Sequence, residues 1–138
     1  MQRPILAELL DKGLLRPPQI RAGLEAALVY EAITACIAAR VSRYGEASHG
    51  FSLAEWPPAL QRAAGRYRAW AEWAASQVVT PRCSRVELVQ DVAIDGLGLS
   101  RVRRKRGLHS DTVLRHLQIG LWQYAALAGW VSEADRAV

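Results

Sequence analysis

Gly96 and Gly107 stand eleven residues apart and bracket a short basic segment, Leu99-Ser100-Arg101-Val102-Arg103-Arg104-Lys105-Arg106. After Gly107, a second helical pattern begins, with Val113 and Leu117 on one side. A glycine at 107 can adopt the left-handed backbone that a tight helix-to-helix turn requires. The spacing therefore reads as a helix, a turn and a second helix, an arrangement able to lay its second helix into the major groove of DNA. The basic residues fall on and around the first of the two helices, where phosphate contacts are expected.

The rest of the chain is helical in period. Apolar residues recur at helical spacing, and alternating strand patterns are absent. The pattern predicts a first helix over about 4–12 that stops at Gly13. A long helix follows from Pro17-Pro18 to about Tyr44, since proline is tolerated in a first turn. Its apolar positions Ile20, Leu24, Ala27, Leu28, Ala35, Ile37, Ala38 and Val41 form a broad stripe, interrupted by Glu31 and Thr34. Residues 45–57 read as a loop. A third helix is expected over about 58–79, with Leu60, Ala64, Tyr67, Ala71, Ala74 and Val78 on one side and Trp70 and Trp73 flanking it, until Thr80-Pro81 breaks it. Ser84 and Glu87 form a capping box for a fourth helix over 85–95, which buries Val86, Leu88, Val89 and Val92 and ends at Gly96. Ser100 is expected to cap the fifth helix, and His109 or Ser110 the sixth, which continues through Tyr124 toward Trp130. Residues 132–138 read as a polar, frayed end. The expectation is an all-α protein, with a helical N-terminal part (1–80, for partner binding or dimerisation) followed by a helix-turn-helix DNA-binding domain (81–138).

At 138 residues, 51% apolar and 22% charged, the composition is that of an ordinary globular chain. The net charge of +5 favours a polyanion partner. That charge divides almost evenly between the two halves, so the cluster at 101–106, five of six residues basic, carries more weight than the total. Two cysteines, Cys36 and Cys83, fit no disulfide framework or zinc motif; Cys36 reads as core and Cys83 as partly exposed near a turn. No run reads as a signal peptide or a membrane span, so a cytoplasmic, nucleoid-associated location is expected and no membrane partner.

Residues 84 to about 124 resemble the DNA-binding domain of region four of bacterial sigma factors and related phage regulators. Gly96, Leu97, Leu99, Val102, Gly107, Thr112, Val113 and Leu117 fall on that family's spacings; Gly98 stands where a polar residue is usual. Arg103 replaces a small residue and Arg106 an apolar one, both at positions where the two helices normally pack. An arginine at such a site can run its stem along the apolar surface and send its head to solvent. Trp70-Ala71-Glu72-Trp73 and the Arg103-Arg104-Lys105-Arg106-Gly107 turn are also similar to small phage-derived regulators of alphaproteobacteria, among them activators of gene transfer agents.

The resemblance makes the sixth helix the recognition helix. It implies His109, Ser110 and Asp111 at its mouth, and Leu114, Arg115 and Gln118 one turn deeper. Arginine can pair with guanine and glutamine with adenine. Thr112 and the first amides would bind phosphate, and Arg101, Arg104 and Lys105 would position the backbone. The implied function is sequence-specific binding of double-stranded DNA in transcription control of phage or phage-derived genes. The competing reading is a helical adaptor that binds RNA polymerase or a second regulator through the long helix and an acidic stripe, Glu87, Asp91 and Asp95. On that stripe's simpler reading, it is a solvent face pairing with nearby arginines; Arg101 or Arg104 would sit beside Asp95. Trp122 and Trp130 would pack internally, against the N-terminal helices or on a second protomer; a homodimer is left open. No catalytic constellation is legible. His49, His109 and His116 form no metal site, and no cofactor is implied.

Overall fold

A computed structural model describes residues 4–44 and 56–132. Most of the expected 45–57 loop, the frayed end after Ser132, His49 and the Val41 side chain lie outside the described residues. Among the described residues there are six helices: α1 (Ile5–Asp11), α2 (Pro17–Tyr44), α3 (Pro58–Ser76), α4 (Arg85–Ala93), α5 (Leu99–Arg106) and α6 (Ser110–Leu127). The all-α expectation holds, with one addition. β1 (Val78–Thr80) and β2 (Cys83–Ser84) form a small antiparallel hairpin between α3 and α4. The third helix stops at Ser76, short of the expected 79. Val78, Val79 and Thr80 are β-branched and favour extended backbone. Strands this short leave no alternation to read in the sequence.

The buried residues form one cluster that runs from Leu6 in α1 to Tyr124 in α6. Trp70 is fully buried at its centre, flanked by Tyr67 and Tyr124 at ring-centroid distances of 6.0 and 5.5 Å. Its indole N–H donates to the Gly120 carbonyl at 2.8 Å, which satisfies the one polar atom that so large a buried side chain brings inside. At Gly120, α6 lies close against α4. A β-carbon there would stand 2.8 Å from Val89 Cγ2, so α6 reaches this position only without a side chain.

Glu25 of α2 ties three helices together. It accepts from Arg66 Nε of α3 at 2.9 Å and from the Tyr124 hydroxyl of α6 at 2.5 Å. Burial alone would raise the Glu25 pKa, but the hydrogen bonds from Arg66 and Tyr124 outweigh it, and the carboxyl is held below its ordinary value. Burial and the Glu25 carboxylate push the Tyr124 phenol far up.

The long helix α2 turns out opposite to expectation. Its core face is Gln19, Ala22, Ala26 and Val29, all buried. Much of the expected stripe points outward instead: Leu24 is 60% exposed, Leu28 57% and Ile37 49%, and Ala35 and Ala38 are exposed as well. Alanine on the inner face lets neighbouring helices approach closely, so the smaller residues face the core. Pro17–Ala39 is also long and apolar enough to cross a membrane by length and composition, with a mean hydropathy of 1.5, contrary to the expectation that no run approaches a span. The alanines raise that mean; yet Ala22, Ala26 and Val29 of the same segment are buried within the fold. The cysteines are likewise exchanged: Cys83 is buried and Cys36 half-buried. Burial pushes the Cys83 thiol up.

Candidate nucleic-acid interface

The α5–α6 unit is built around Gly107, which has φ 66° and ψ 40° and closes α5 in the left-handed conformation. Leu108 N–H donates back to the Arg103 carbonyl at 3.0 Å. The turn brings Val102 of α5 and Val113 and Leu117 of α6 into the core, all fully buried. These are the apolar positions that the sequence spacing singled out on either side of the glycine. Gly98, not Ser100, occupies the N-cap position of α5, and His109 that of α6, with no side-chain cap bond at either. Ser84 and Glu87 form the expected capping box on α4.

The basic segment divides by direction. Arg101, Arg103 and Arg104 are exposed; Arg104 Nε reaches only the Ser100 carbonyl of its own helix, at 3.4 Å. Lys105 and Arg106 turn toward α4. Lys105 Nζ lies 2.9 Å from Asp91 Oδ1, and Arg106 Nε lies 2.9 Å from Asp91 Oδ2. Arg106 Nη1 also reaches Glu87 Oε2 at 3.0 Å. Asp91 is only 2% exposed. Burial would raise its pKa; hydrogen bonds from Arg106 and Lys105 overcome that and hold the carboxyl below the ordinary range.

Two expectations are corrected here. The Arg106 head does not go to solvent: its side chain is 19% exposed and its guanidinium is an inward partner of Asp91 and Glu87. The acidic stripe is not one solvent face either. Asp91 is buried, Glu87 serves the capping box and Arg106, and only Asp95 is exposed. Asp95 forms no ion pair with Arg101 or Arg104. One helical turn moves a side chain from rim to interior here, because α5 packs over the end of α4 that carries Asp91.

On α6, His109, Ser110, Asp111 and Arg115 are exposed, while Thr112 and Leu114 are half-buried. Gln118 is not available on the outer face. Its amide donates to the Leu14 carbonyl at 2.8 Å, and the Gln118 carbonyl accepts from Gln19 at 2.9 Å. The loop between α1 and α2 thus covers the helix at this point. The exposed residues near the turn lie on the first two turns of α6, from His109 to Arg115; Ala126 and Leu127 are exposed again only at the far end of the helix. Further along, Trp122 is buried with Arg16 above its ring, and Trp130 lies beyond the helix end against Tyr124 and Arg21. Both tryptophans therefore pack within the chain.

His116 accepts from Arg85 Nε at 3.1 Å. Burial, then the Arg85 and Arg115 charges, lower its pKa. Among the described residues no group of three or more His, Cys, Asp or Glu is placed to hold a metal ion. The polar groups that sequence reasoning missed, Gln19, Glu25 and Arg85, all act through contacts distant in sequence, which no local pattern announces. No protein-family model, curated protein or solved structure matches the chain.

Proposed function

We propose that this chain is a sequence-specific DNA-binding transcription regulator whose α5–α6 unit acts as a helix-turn-helix, with α6 as the recognition helix. The observation that carries this reading is the left-handed turn at Gly107, which leaves His109, Ser110, Asp111 and Arg115 exposed at the start of α6 beside exposed Arg101, Arg103 and Arg104. The arginines of α5 supply phosphate contacts and affinity; the first two turns of α6 supply base contacts and specificity. Free amides at the start of α6 offer a further phosphate site, supported by the positive end of the helix dipole. By the resemblance to sigma region four and phage-derived regulators, the controlled genes are of phage origin, and the protein works in the cytoplasm at the nucleoid.

Two members of the implied contact set are less available to DNA. Gln118 is withdrawn from it, and Lys105 is a weaker member because Asp91 already holds its ammonium. The adaptor reading loses much of its acidic surface with Asp91 buried and Glu87 paired.

The test is selection of the full chain on fragmented genomic DNA, followed by titration of an enriched and a scrambled duplex at several salt concentrations. A preferred sequence, bound with a steep dependence on salt, is expected. Equal, salt-insensitive binding to every duplex, or none, refutes the proposal. Chromatin immunoprecipitation with sequencing then identifies the adjoining genes.

A further inference from the structure

The outward face of α2 is the largest feature that the DNA reading leaves unused. α2 carries apolar side chains on its outer as well as its inner side, yet among the described residues it is the Ala22–Ala26–Val29 side that is buried. Leu24 and Leu28 stand on the opposite side. They line a shallow groove with Leu10, Pro17, Ile20 and Trp130.

The spacing along this face is that of a coiled-coil seam. Pro17, Arg21, Leu24, Leu28, Glu31 and Ala35 follow one another at intervals of four, three, four, three and four. Such a seam packs against a partner helix carrying the same repeat. The seam holds two charges of opposite sign, Arg21 and Glu31, both exposed, with the leucine pair between them. This charge order selects the partner. In a parallel pair of two copies, like would face like, Arg21 on Arg21 and Glu31 on Glu31. In an antiparallel pair, the register that sets Leu24 against the partner's Leu28 also sets Arg21 against the partner's Glu31, and Pro17 against the partner's Ala35. All three matches occur in one register, and each occurs twice about a two-fold axis. That is the self-complementarity an isologous interface requires. Arg21 is already held on this side by Trp130, whose ring lies 3.9 Å from the guanidinium carbon.

We infer that the outward seam of α2 binds a second copy of this chain, antiparallel, with Leu24 packed on the partner's Leu28 and Arg21 paired with the partner's Glu31. The inference does not depend on DNA binding. It places the dimer contact on α2 and leaves the α6 start of each copy free.

Charge reversal tests both the surface and the register. Arg21→Glu sets two acidic groups together twice in each dimer, and Glu31→Arg sets two basic groups together twice. Each variant alone should weaken self-association by at least about tenfold. Mixed together, every contact is again between opposite charges, so the two variants should form a heterodimer about as strong as the wild-type dimer. The measurement is sedimentation of the full chain over a concentration series, with circular dichroism melting to confirm that each variant folds. Leu24→Ser with Leu28→Ser, both on the exposed face, should also give a folded monomer. A wild-type monomer at every concentration overturns the inference. So does a dimer indifferent to these substitutions, or two monomeric variants that fail to combine. A monomer that floats with phosphatidylglycerol vesicles would also overturn it, reassigning the face to lipid.

Discussion

Replacing Asp91 with alanine removes the acceptor for three N–H groups: Lys105 Nζ at 2.9 Å, Arg106 Nε at 2.9 Å and Arg106 Nη2 at 3.1 Å. Breaking a buried ion pair from one side typically costs about 3–5 kcal/mol, because a charge is left without its partner. Two features reduce that here. Lys105 has 47% of its side chain exposed and can return to water, and Arg106 keeps Glu87 at 3.0 Å. A loss of about 2–3 kcal/mol is expected, which for a chain of this size lowers the melting temperature by about 8 °C. The assay is urea unfolding followed by tryptophan fluorescence, since Trp70 and Trp122 are buried. The sign of the pH dependence follows from the carboxyl's lowered pKa. A depressed folded-state value gives stability that is present above the ordinary aspartate range and lost as pH falls through the folded value. The gap between wild type and Asp91→Ala should therefore be widest near neutrality and close below about pH 4. Replacing both partners, Asp91→Leu with Arg106→Met, should recover much of the loss, because neither charge is then stranded. A loss under about 0.5 kcal/mol, within the range of an ordinary surface change, or a gap that persists unchanged into acid, would refute the reasoning.

Three further outcomes follow from the α5–α6 unit. Gly107→Val puts a β-branched residue at φ 66° and should cost at least about 1–2 kcal/mol in unfolding titrations, with DNA binding lost in parallel; unchanged melting would refute the strained-turn argument. Arg115→Ala should weaken binding to the preferred duplex by about 1–3 kcal/mol and to a scrambled one much less; equal losses would make Arg115 a phosphate contact. Changing Arg101, Arg103 and Arg104 to glutamine should flatten the slope of log K against log salt by up to about 0.9 per residue, whereas Lys105→Gln should change it by less, because its ammonium is already paired; a Lys105 effect equal to that of each arginine would refute the division of the basic run.

The α5–Gly107–α6 geometry was legible because it is local. A left-handed glycine and apolar residues at fixed distances from it are set within a few turns of chain, and Val102, Val113 and Leu117 are buried as their spacing implied. The Ser84–Glu87 capping box was legible for the same reason. The facing of α2 was not. Both sides of that helix are apolar, so periodicity finds a stripe but cannot say which stripe meets the core. Close helix packing chose the alanine side, and the leucines went out. Asp91 and Gln118 misled in a similar way. Each lies on a face that is polar in sequence, and each is claimed by an element outside its own helix: Asp91 by α5, fourteen and fifteen residues on, and Gln118 by the α1–α2 loop, 104 residues back. The β1–β2 hairpin escaped because its strands are shorter than any pattern that could reveal them.

The division of the basic segment bears on how its charge is to be understood. Five cations within six residues look like one patch, but the fold uses them on two sides of α5. Arg106, and with it Lys105, fastens the end of α5 to α4 through Asp91 and Glu87, and that attachment fixes where the Gly107 turn delivers the start of α6. Arg101, Arg103 and Arg104 face outward and are free to meet a polyanion. On the proposed DNA-binding reading, neutralising all five should therefore abolish that binding for two unrelated reasons, one mechanical and one electrostatic. The two separate experimentally, because losing the outward arginines leaves melting nearly unchanged, exposed charges contributing little to stability, while losing Arg106 lowers it. Asp91→Ala acts in the opposite electrostatic sense: it removes one negative charge and releases Lys105 toward solvent, while Arg106, left with Glu87 alone, holds the seat of α5 less firmly. If the variant remains folded at low temperature, its non-specific DNA affinity should rise while its preference for the selected sequence falls, since phosphate contacts supply affinity without base identity and base contacts need α6 held in place.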